Sequence, residues 1–560
     1  MGELKGIAEL ERASAGNIVP VYREMPSSAN ALEFFMKISD YGRKKDCILL
    51  ESTDIVTKYG EKSIGSAEPC LKVKGRGERF EVIALNALGE KFLAHLKPKL
   101  GFCSALKVSR GKISGKIRAE KNFLSESERL KTVTHADVLR AVAFMLKPAY
   151  RPFTVYAGLF GAIAYDFIDQ FEKLPKNKKD VLKEPDYEMN FYDNLFIVDH
   201  KKNEIVFVAN ALIFGENDKA GEGERCRKII EGFEKALSAE IPSARKPEGG
   251  KLKIATDTTK KEFMKIVSSL KKNVLVGDVF QVVPSRTIIS TFTSEHLDIY
   301  RALRELNPSP YMFYFRNSSG ILLGSSPEMF LKVEGNGDKR VEIRPIAGTK
   351  PRGIIGGKID AELDSRFEAE LKNDRKELAE HTMLIDLARN DVARVCVPGS
   401  RKCDKPYMIE KYSHVQHLVS SVSGTLKNDL DALHAYLASM NMGTLTGAPK
   451  VEAMKLIRLK EKTRRGFYGG SIGYLTPSGD FDSAIVIRSM SLQGGKAFIR
   501  AGAGIVYDSV PENEFLETEK KAAAALKAIE IAEKGFSGRA LKAVNANAGN
   551  GNAADNKGDG

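Results

Sequence analysis

The sequence predicts an α+β fold with substantial antiparallel sheet, and three observations carry that expectation. Short runs rich in β-branched and aromatic residues recur between turn signals, among them ILLES (48–52), YMFYFR (311–316) and AFIRAGAGIVY (497–507). Long helix-patterned stretches interrupt them at about 365–393, 449–461 and 511–534. At 560 residues the chain is also longer than one compact core holds, so two or more domains are expected.

Taken in order, residues 1–15 read as an N-terminal tail. The region 16–250 mixes strands such as ILLES, LFIVDH (195–200) and EIVFVA (204–209) with helical stretches. The Pro, Gly and Lys-rich IPSARKPEGGK (241–251) reads as a boundary. TKKE (259–262) is a capping box that opens a helix with Phe263, Ile266, Val267 and Leu270 on one face. The second domain, 251–535, adds the strand-like runs ILLGSSPEMFLKVEG (321–335), HVQHLVSSVSGTL (414–426), GSIGYL (470–475) and AIVIRSM (484–490). The Asn, Gly and Ala-rich end, 536–560, is expected to be disordered.

Composition excludes several classes. The longest uncharged apolar run, FTVYAGLFGAIAY (153–165), stops at Asp166, short of the ~18–20 residues of a membrane span, and the acidic N-terminus does not fit a signal peptide. A cytoplasmic protein is expected. The six cysteines, at 47, 70, 103, 226, 396 and 403, form no C-x-x-C pair, so neither a zinc ribbon nor a disulfide framework is indicated. The net charge is +14, yet 73 acidic residues interleave with 87 basic ones, and clusters such as KLPKNKKDVLK (173–183) lack base-stacking aromatics. No nucleic-acid partner follows, whereas an anionic small substrate suits the balance. There is no tryptophan.

Two stretches pair carboxylates at helical spacing. In PENEFLETEKK (511–521), Glu514, Glu517 and Lys521 share a helix face, and in KELAEHTMLIDLARND, Glu377 and Glu380 do the same beside His381. Like charges a turn apart are mildly destabilising on a bare helix. Spacing alone leaves two readings: two solvated faces, or two halves of one cation site, where Mg²⁺ would keep positions open for water and a substrate anion.

SSPEMF, RPIAGTKPRG, KELAEHTMLIDLARND, GTLTGAPK, YGGSIGYL and RAGAGIVYDSVPENEFLETEKK, in this order, resemble the chorismate-utilising enzymes over about 20–530. LLES and NPSPYMFYF (307–315) bring the likeness nearest to the anthranilate synthase component I branch, which begins tryptophan biosynthesis. The resemblance implies two large antiparallel sheets flanked by helices, an N-terminal regulatory region (16–250), a catalytic domain (251–535) and a Mg²⁺-dependent reaction on chorismate. A tryptophan-free composition fits an enzyme needed when tryptophan is scarce.

Carried over to this sequence, the resemblance makes Glu380 and Glu517 direct Mg²⁺ ligands, with Glu377 and Glu514 on the water shell. Arg488 and the amides near Gly502 and Gly504 become the clamp on the enolpyruvyl carboxylate, with Tyr468 and Lys521 nearby; the planar fork of arginine matches a carboxylate. Glu328 becomes the general acid for the departing C4 hydroxyl, which requires it to stay protonated near neutral pH. On residue type alone His417, alternating with apolar residues, reads as structural, but it matches the family's active-site histidine of the pyruvate-elimination half. Thr444, Gly348 and Thr349 match substrate-lining positions. GTLTGAPK lacks the G-K-[ST] of a nucleotide-binding loop.

Relatives that add water carry a lysine where this chain has Gln281, and aminodeoxychorismate synthases commonly carry one in place of Ala347. With neither lysine, the implied nucleophile is ammonia, attacking C2 to give aminodeoxyisochorismate before pyruvate leaves and the ring aromatises. The cysteines sit in no G-x-C-x-G-type elbow, so ammonia from glutamine requires a separate amidotransferase subunit. The folate-pathway aminodeoxychorismate synthase component I is the alternative. The branch further implies a regulatory tryptophan pocket at Glu51, Ser52, Lys62, Asn307, Pro310, Tyr311, Met312 and Phe313, in which Glu51 meets the α-ammonium and Pro310, Met312 and Phe313 enclose the indole.

Overall fold

The computed structural model describes residues 3–52, 62–118, 128, 130–249, 251–412 and 415–535. The expected disorder at 536–560 lies outside them. Two large sheets dominate, one of 12 strands and one of 13. Among the described residues their pairings are antiparallel except for a short parallel contact of Asn17–Pro26 with Lys147–Pro148.

The two segments expected as separate domains are woven into both sheets. In the 12-stranded sheet, Ile48–Glu51 pairs with Tyr311–Asn317, placing Met312 opposite Glu51. In the 13-stranded sheet, Gly158–Ile163 pairs with Ser471–Leu475. One core lies between the sheets and draws on both, from Ile48 and Phe313 of the 12-stranded sheet to Leu71 and Phe330 of the 13-stranded one. A second lies on the outer face of the 12-stranded sheet, beneath the helices Ala31–Ile38, Asp218–Ser238, His296–Leu306 and Pro511–Lys534. There Phe34 packs edge-on to Phe196, ring centroids 4.9 Å apart, and each fully buried aromatic contributes roughly 2–3 kcal/mol. The stretch expected as a tail is partly structured: Ile7–Arg12 is a helix, because Leu10 is buried in this second core. Among the described residues no helix is long and apolar enough to cross a membrane.

Local signals explain the elements around the site. The capping box forms, with Glu262 accepting from Thr259 N at 2.8 Å, and Phe263, Val267 and Leu270 of Lys260–Leu275 are fully buried. The single helix expected at 365–393 is two, Ala361–Asn373 and Arg375–Val395. Asp374 leaves helical geometry and its carboxylate caps the second, accepting from Lys376 N at 3.0 Å and Glu377 N at 3.2 Å. Two runs expected as continuous strands also break. ILLGSSPEMFLKVEG divides into Gly320–Ser326 in the 12-stranded sheet and Met329–Glu334 in the other, because proline at 327 cannot donate to a ladder. AIVIRSM divides between Phe481–Ile485 and Ser489–Gln493, again one in each sheet.

Candidate active site

Both breaks are sheet crossings, and they lie side by side. Ser325 N donates to Arg488 O at 3.1 Å and Ile485 N to Glu328 O at 3.0 Å. Glu328 therefore sits on one crossing and Arg488 on the other. Arg488 has φ +49°, a left-handed conformation rare for a residue with a side chain, so it is a corner and not the outward-facing strand residue of an unbroken run. Its guanidinium forms no ion pair or hydrogen bond with a described residue, and burial lowers its pKa, with the Glu517 carboxylate close enough to oppose that shift.

Glu328 is 7% exposed. Burial pushes its carboxyl up to about 8, against the opposing pull of Thr444, Lys521, Arg488 and the Ile346 N–H. Thr444 Oγ1 is buried beside it without a hydrogen bond of normal geometry. His417 lies on Val415–Thr425, and its Nδ1 is 3.1 Å from Gly348 O and 3.0 Å from Thr349 Oγ1. A carbonyl only accepts, so this contact assigns the proton to Nδ1 and leaves Nε2 as the acceptor. Burial lowers the imidazole to about 4, so the ring is neutral at physiological pH.

Gly502 ends the strand Lys496–Gly502, and Gly504 follows it. A methyl on Gly502 would meet the Pro284 carbonyl oxygen at 2.8 Å and Tyr468 Oη at 3.3 Å, so that position admits only the bare backbone, and one on Gly504 would stand 2.7 Å from Gln281 Nε2 and displace that side chain. Gln281 Oε1 is buried without a hydrogen bond. Lys521 Nζ donates to Gly502 O at 3.0 Å and pairs with Glu517 at 2.5 Å.

The helices Arg375–Val395 and Pro511–Lys534 bring the two glutamate pairs together. Burial first, then the charges of Glu377, Glu517 and Glu514, push Glu380 up to about 7. Glu377 and Glu514 are likewise raised by burial, with Glu517 adding to each. Gly348, at φ +67°, closes this face: a methyl there would stand 3.0 Å from Glu377 Oε2. Glu377, Glu380 and Glu514, raised by burial and by neighbouring carboxylates, gather around Glu517, and clustered carboxylate oxygens are the donor chemistry that Mg²⁺ takes. Among the described residues no three such groups converge tightly enough to bind an ion alone, so an ion here would complete its shell with water or substrate oxygens.

Of the residues assigned to a tryptophan pocket, Glu51, Ser52, Lys62, Pro310, Tyr311, Met312 and Phe313 line one cavity of about 460 Å³ at the seam between the two segments. Asn307 does not line it; its side-chain amide donates to Ser325 Oγ at 3.0 Å. Glu51 accepts from Tyr300 Oη at 2.7 Å and faces Arg304 at 3.3 Å, while its Oε1 is buried without a partner. The same cavity is lined by Arg344, Glu342, Lys332 and Asp482, which no motif reading singled out. Also missed were Tyr412, whose ring centroid is 5.4 Å from that of His417, and the Glu461 carboxylate that joins Arg465 and Arg500 behind Tyr468. Contacts between residues far apart in the chain bring these neighbours together, and no local pattern marks them.

Residues 102–527 match the family described as chorismate binding enzyme. Anthranilate synthase component 1 of Vibrio cholerae is 40% identical over 518 residues, covering 92% of this chain and 97% of that protein. Its Escherichia coli K12 counterpart is 39% identical over 494 residues, covering 88% and 93%. Among solved structures, anthranilate synthase component I from Streptococcus pneumoniae TIGR4 superposes with a TM-score of 0.64 at 28% identity over 83% of this chain and 92% of that one. MenF, the menaquinone-specific isochorismate synthase of Escherichia coli, shares the fold, with a TM-score of 0.62 at 16% identity over 94% and 99%. Sheet-crossing acid, carboxylate-bearing helices and overall likeness agree: this chain belongs to the chorismate binding enzymes.

Proposed function

We propose that the chain converts chorismate and ammonia to anthranilate and pyruvate, as the catalytic component of a two-subunit anthranilate synthase. The observation that carries this reading is the buried, protonated Glu328 facing an unpaired Arg488, with a cluster of four glutamates alongside. The Arg488 fork and the backbone at Gly502 and Gly504 would hold the enolpyruvyl carboxylate. Glu328 would pass its proton to the C4 hydroxyl, which leaves as water while ammonia bonds to C2. Gln281 Oε1, buried and without a hydrogen bond, would accept one from that ammonia. The C2 proton is then lost and the enolpyruvyl C–O bond breaks, its methylene carbon gaining a proton as pyruvate departs; neutral His417, with Nε2 free to accept, suits this half. Mg²⁺ on Glu380 and Glu517, with Glu377 and Glu514 on its waters, would neutralise the ring carboxylate.

Ala347 offers no nucleophile, which together with the names of the relatives disfavours the folate-pathway product. Ammonia would come from a glutamine amidotransferase subunit. The cavity at the seam would take tryptophan, its ammonium at Glu51 Oε1, as a feedback inhibitor working in the cytoplasm. The isolated chain is expected to use ammonium salts directly and glutamine only after that subunit is added. Glutamine use by the pure chain would refute the two-subunit reading.

A further inference from the structure

Arg465, four residues beyond the end of the helix Lys450–Lys460 at Glu461, is 3% exposed, and every nitrogen of its fork has a partner. Nη1 donates to Leu445 O at 2.7 Å, Nη2 to Val283 O and to Glu461 Oε1, each at 2.6 Å, and Nε to Glu461 Oε2 at 3.1 Å. Its Cζ lies 4.4 Å from the ring centroid of Tyr165 and 5.8 Å from that of Tyr468. Leu445 follows Thr444, the neighbour of Glu328, and Val283 lies two residues beyond Gln281. The two segments pair with each other in a ladder of only two residues, Gln281 with Ala448 and Val282 with Gly447, continued by one bond from Val283 N to Thr446 O at 2.9 Å. Just past that ladder, one planar group holds the acid side of the site with one nitrogen and the nucleophile side with the other. Glu461 backs the fork from behind. Its Oε1 accepts from Ser285 N at 2.8 Å and Ser285 Oγ at 2.7 Å, and its Oε2 from Nη2 of Arg500, on the strand that ends at Gly502, at 2.7 Å.

We infer that Arg465 is a positioning residue: its two carbonyl bonds set the spacing between Gln281, which meets ammonia at C2, and the Thr444–Glu328 pair, which releases the hydroxyl at C4. This rests on the proposed addition of ammonia to chorismate. C2 and C4 are separated by a single ring carbon, so nucleophile and acid act across a short, fixed span, and a small displacement of either is costly in rate. Lysine has the charge of arginine but a single nitrogen on a flexible stem, and it does not reproduce a two-point hold. The adjacent Arg464 gives the contrast. It too is buried in an ion cluster, but its side chain pairs with Asp166, Asp180 and Asp186 and donates to Glu184 O, all on the 166–186 segment.

Removing the charge of Arg465 would leave the buried Glu461 short of a partner, so the test keeps the charge and removes the fork. The unsubstituted protein is assayed first with chorismate, Mg²⁺ and ammonium; absence of anthranilate there would overturn the reaction on which the inference rests before any variant is made. Arg465→Lys is then expected to lower kcat/KM for ammonia about tenfold or more while the KM for chorismate stays within about twofold. Arg464→Lys is expected to lose thermal stability and to keep both quantities within about twofold, because its cluster holds no segment of the site. If Arg465→Lys does not fold, Ser285→Ala decides: it takes a hydroxyl from Glu461 without touching a charge, and should lower kcat/KM for ammonia about threefold at an unchanged KM for chorismate. An unchanged kcat/KM for ammonia in the folded variant would overturn the proposal. So would a loss matched in the KM for chorismate, or one that Arg464→Lys reproduces.

Discussion

Glu328 is an acid because of where proline at 327 turns the chain. Its motif is visible in sequence, but the burial that keeps it protonated arises only when the strand changes sheets, and no local pattern announces that. Its folded pKa, about 8, lies above the ordinary 4.5, so the folded chain binds a proton that the unfolded chain releases between these values. This group therefore costs stability as pH rises through that window, and the cost is fully present above about 8. Glu328→Gln should be more resistant to heat than the unsubstituted protein at pH 9 and equal to it near pH 4, while losing activity by at least about 10²-fold. In the unsubstituted enzyme, kcat/KM expressed per NH₃ should fall above about pH 8 as the acid form disappears. A pH–rate profile flat from 6 to 10 on that basis would remove Glu328 from the role of acid. The tautomer of His417 was equally invisible in sequence, since it depends on a carbonyl 69 residues away.

At the scale of elements, the glutamate spacing in two helices was legible as a possible cation site, but their convergence was not. Nor was the break at Asp374, which sets the direction of Arg375–Val395 and so aims Glu377 and Glu380. The like charges on these helices make a trade between stability and function. Glu380→Gln should raise the midpoint of metal-free thermal unfolding by about 1–2 °C, because it removes a repelled charge, and should abolish any rise on adding Mg²⁺. The unsubstituted protein should gain several degrees from saturating Mg²⁺, as a ligand at about 100 times its Kd contributes roughly 2.7 kcal/mol. Differential scanning fluorimetry with and without Mg²⁺ checks both; an equal response in the two proteins would dismiss the cluster as the metal site. Gly348→Ala tests the same face from the strand side. With φ at +67° and a methyl 2.8 Å from Leu371 Cδ1, it should cost on the order of 1–3 kcal/mol and displace Glu377.

At the scale of the molecule, the α+β class with substantial antiparallel sheet could be read from the chain and the two large sheets from the family resemblance, whereas the interleaving could not. A linker-like stretch at 241–251 suggests two separate bodies, yet strands of both segments complete each other's sheets, because pairings such as Glu51 with Met312 join residues 261 positions apart. That seam creates the cavity. Ser52→Phe should fill it, raising the tryptophan concentration for half-inhibition at least about tenfold while kcat stays within about threefold. Inhibition kinetics decide this, and unchanged sensitivity would move the regulatory site elsewhere. The central claim is the reaction itself, and the most direct measurement is chromatographic identification of the product from chorismate, Mg²⁺ and ammonium with the purified chain. The structure predicts anthranilate with equimolar pyruvate; isochorismate or 4-amino-4-deoxychorismate as the product would contradict it.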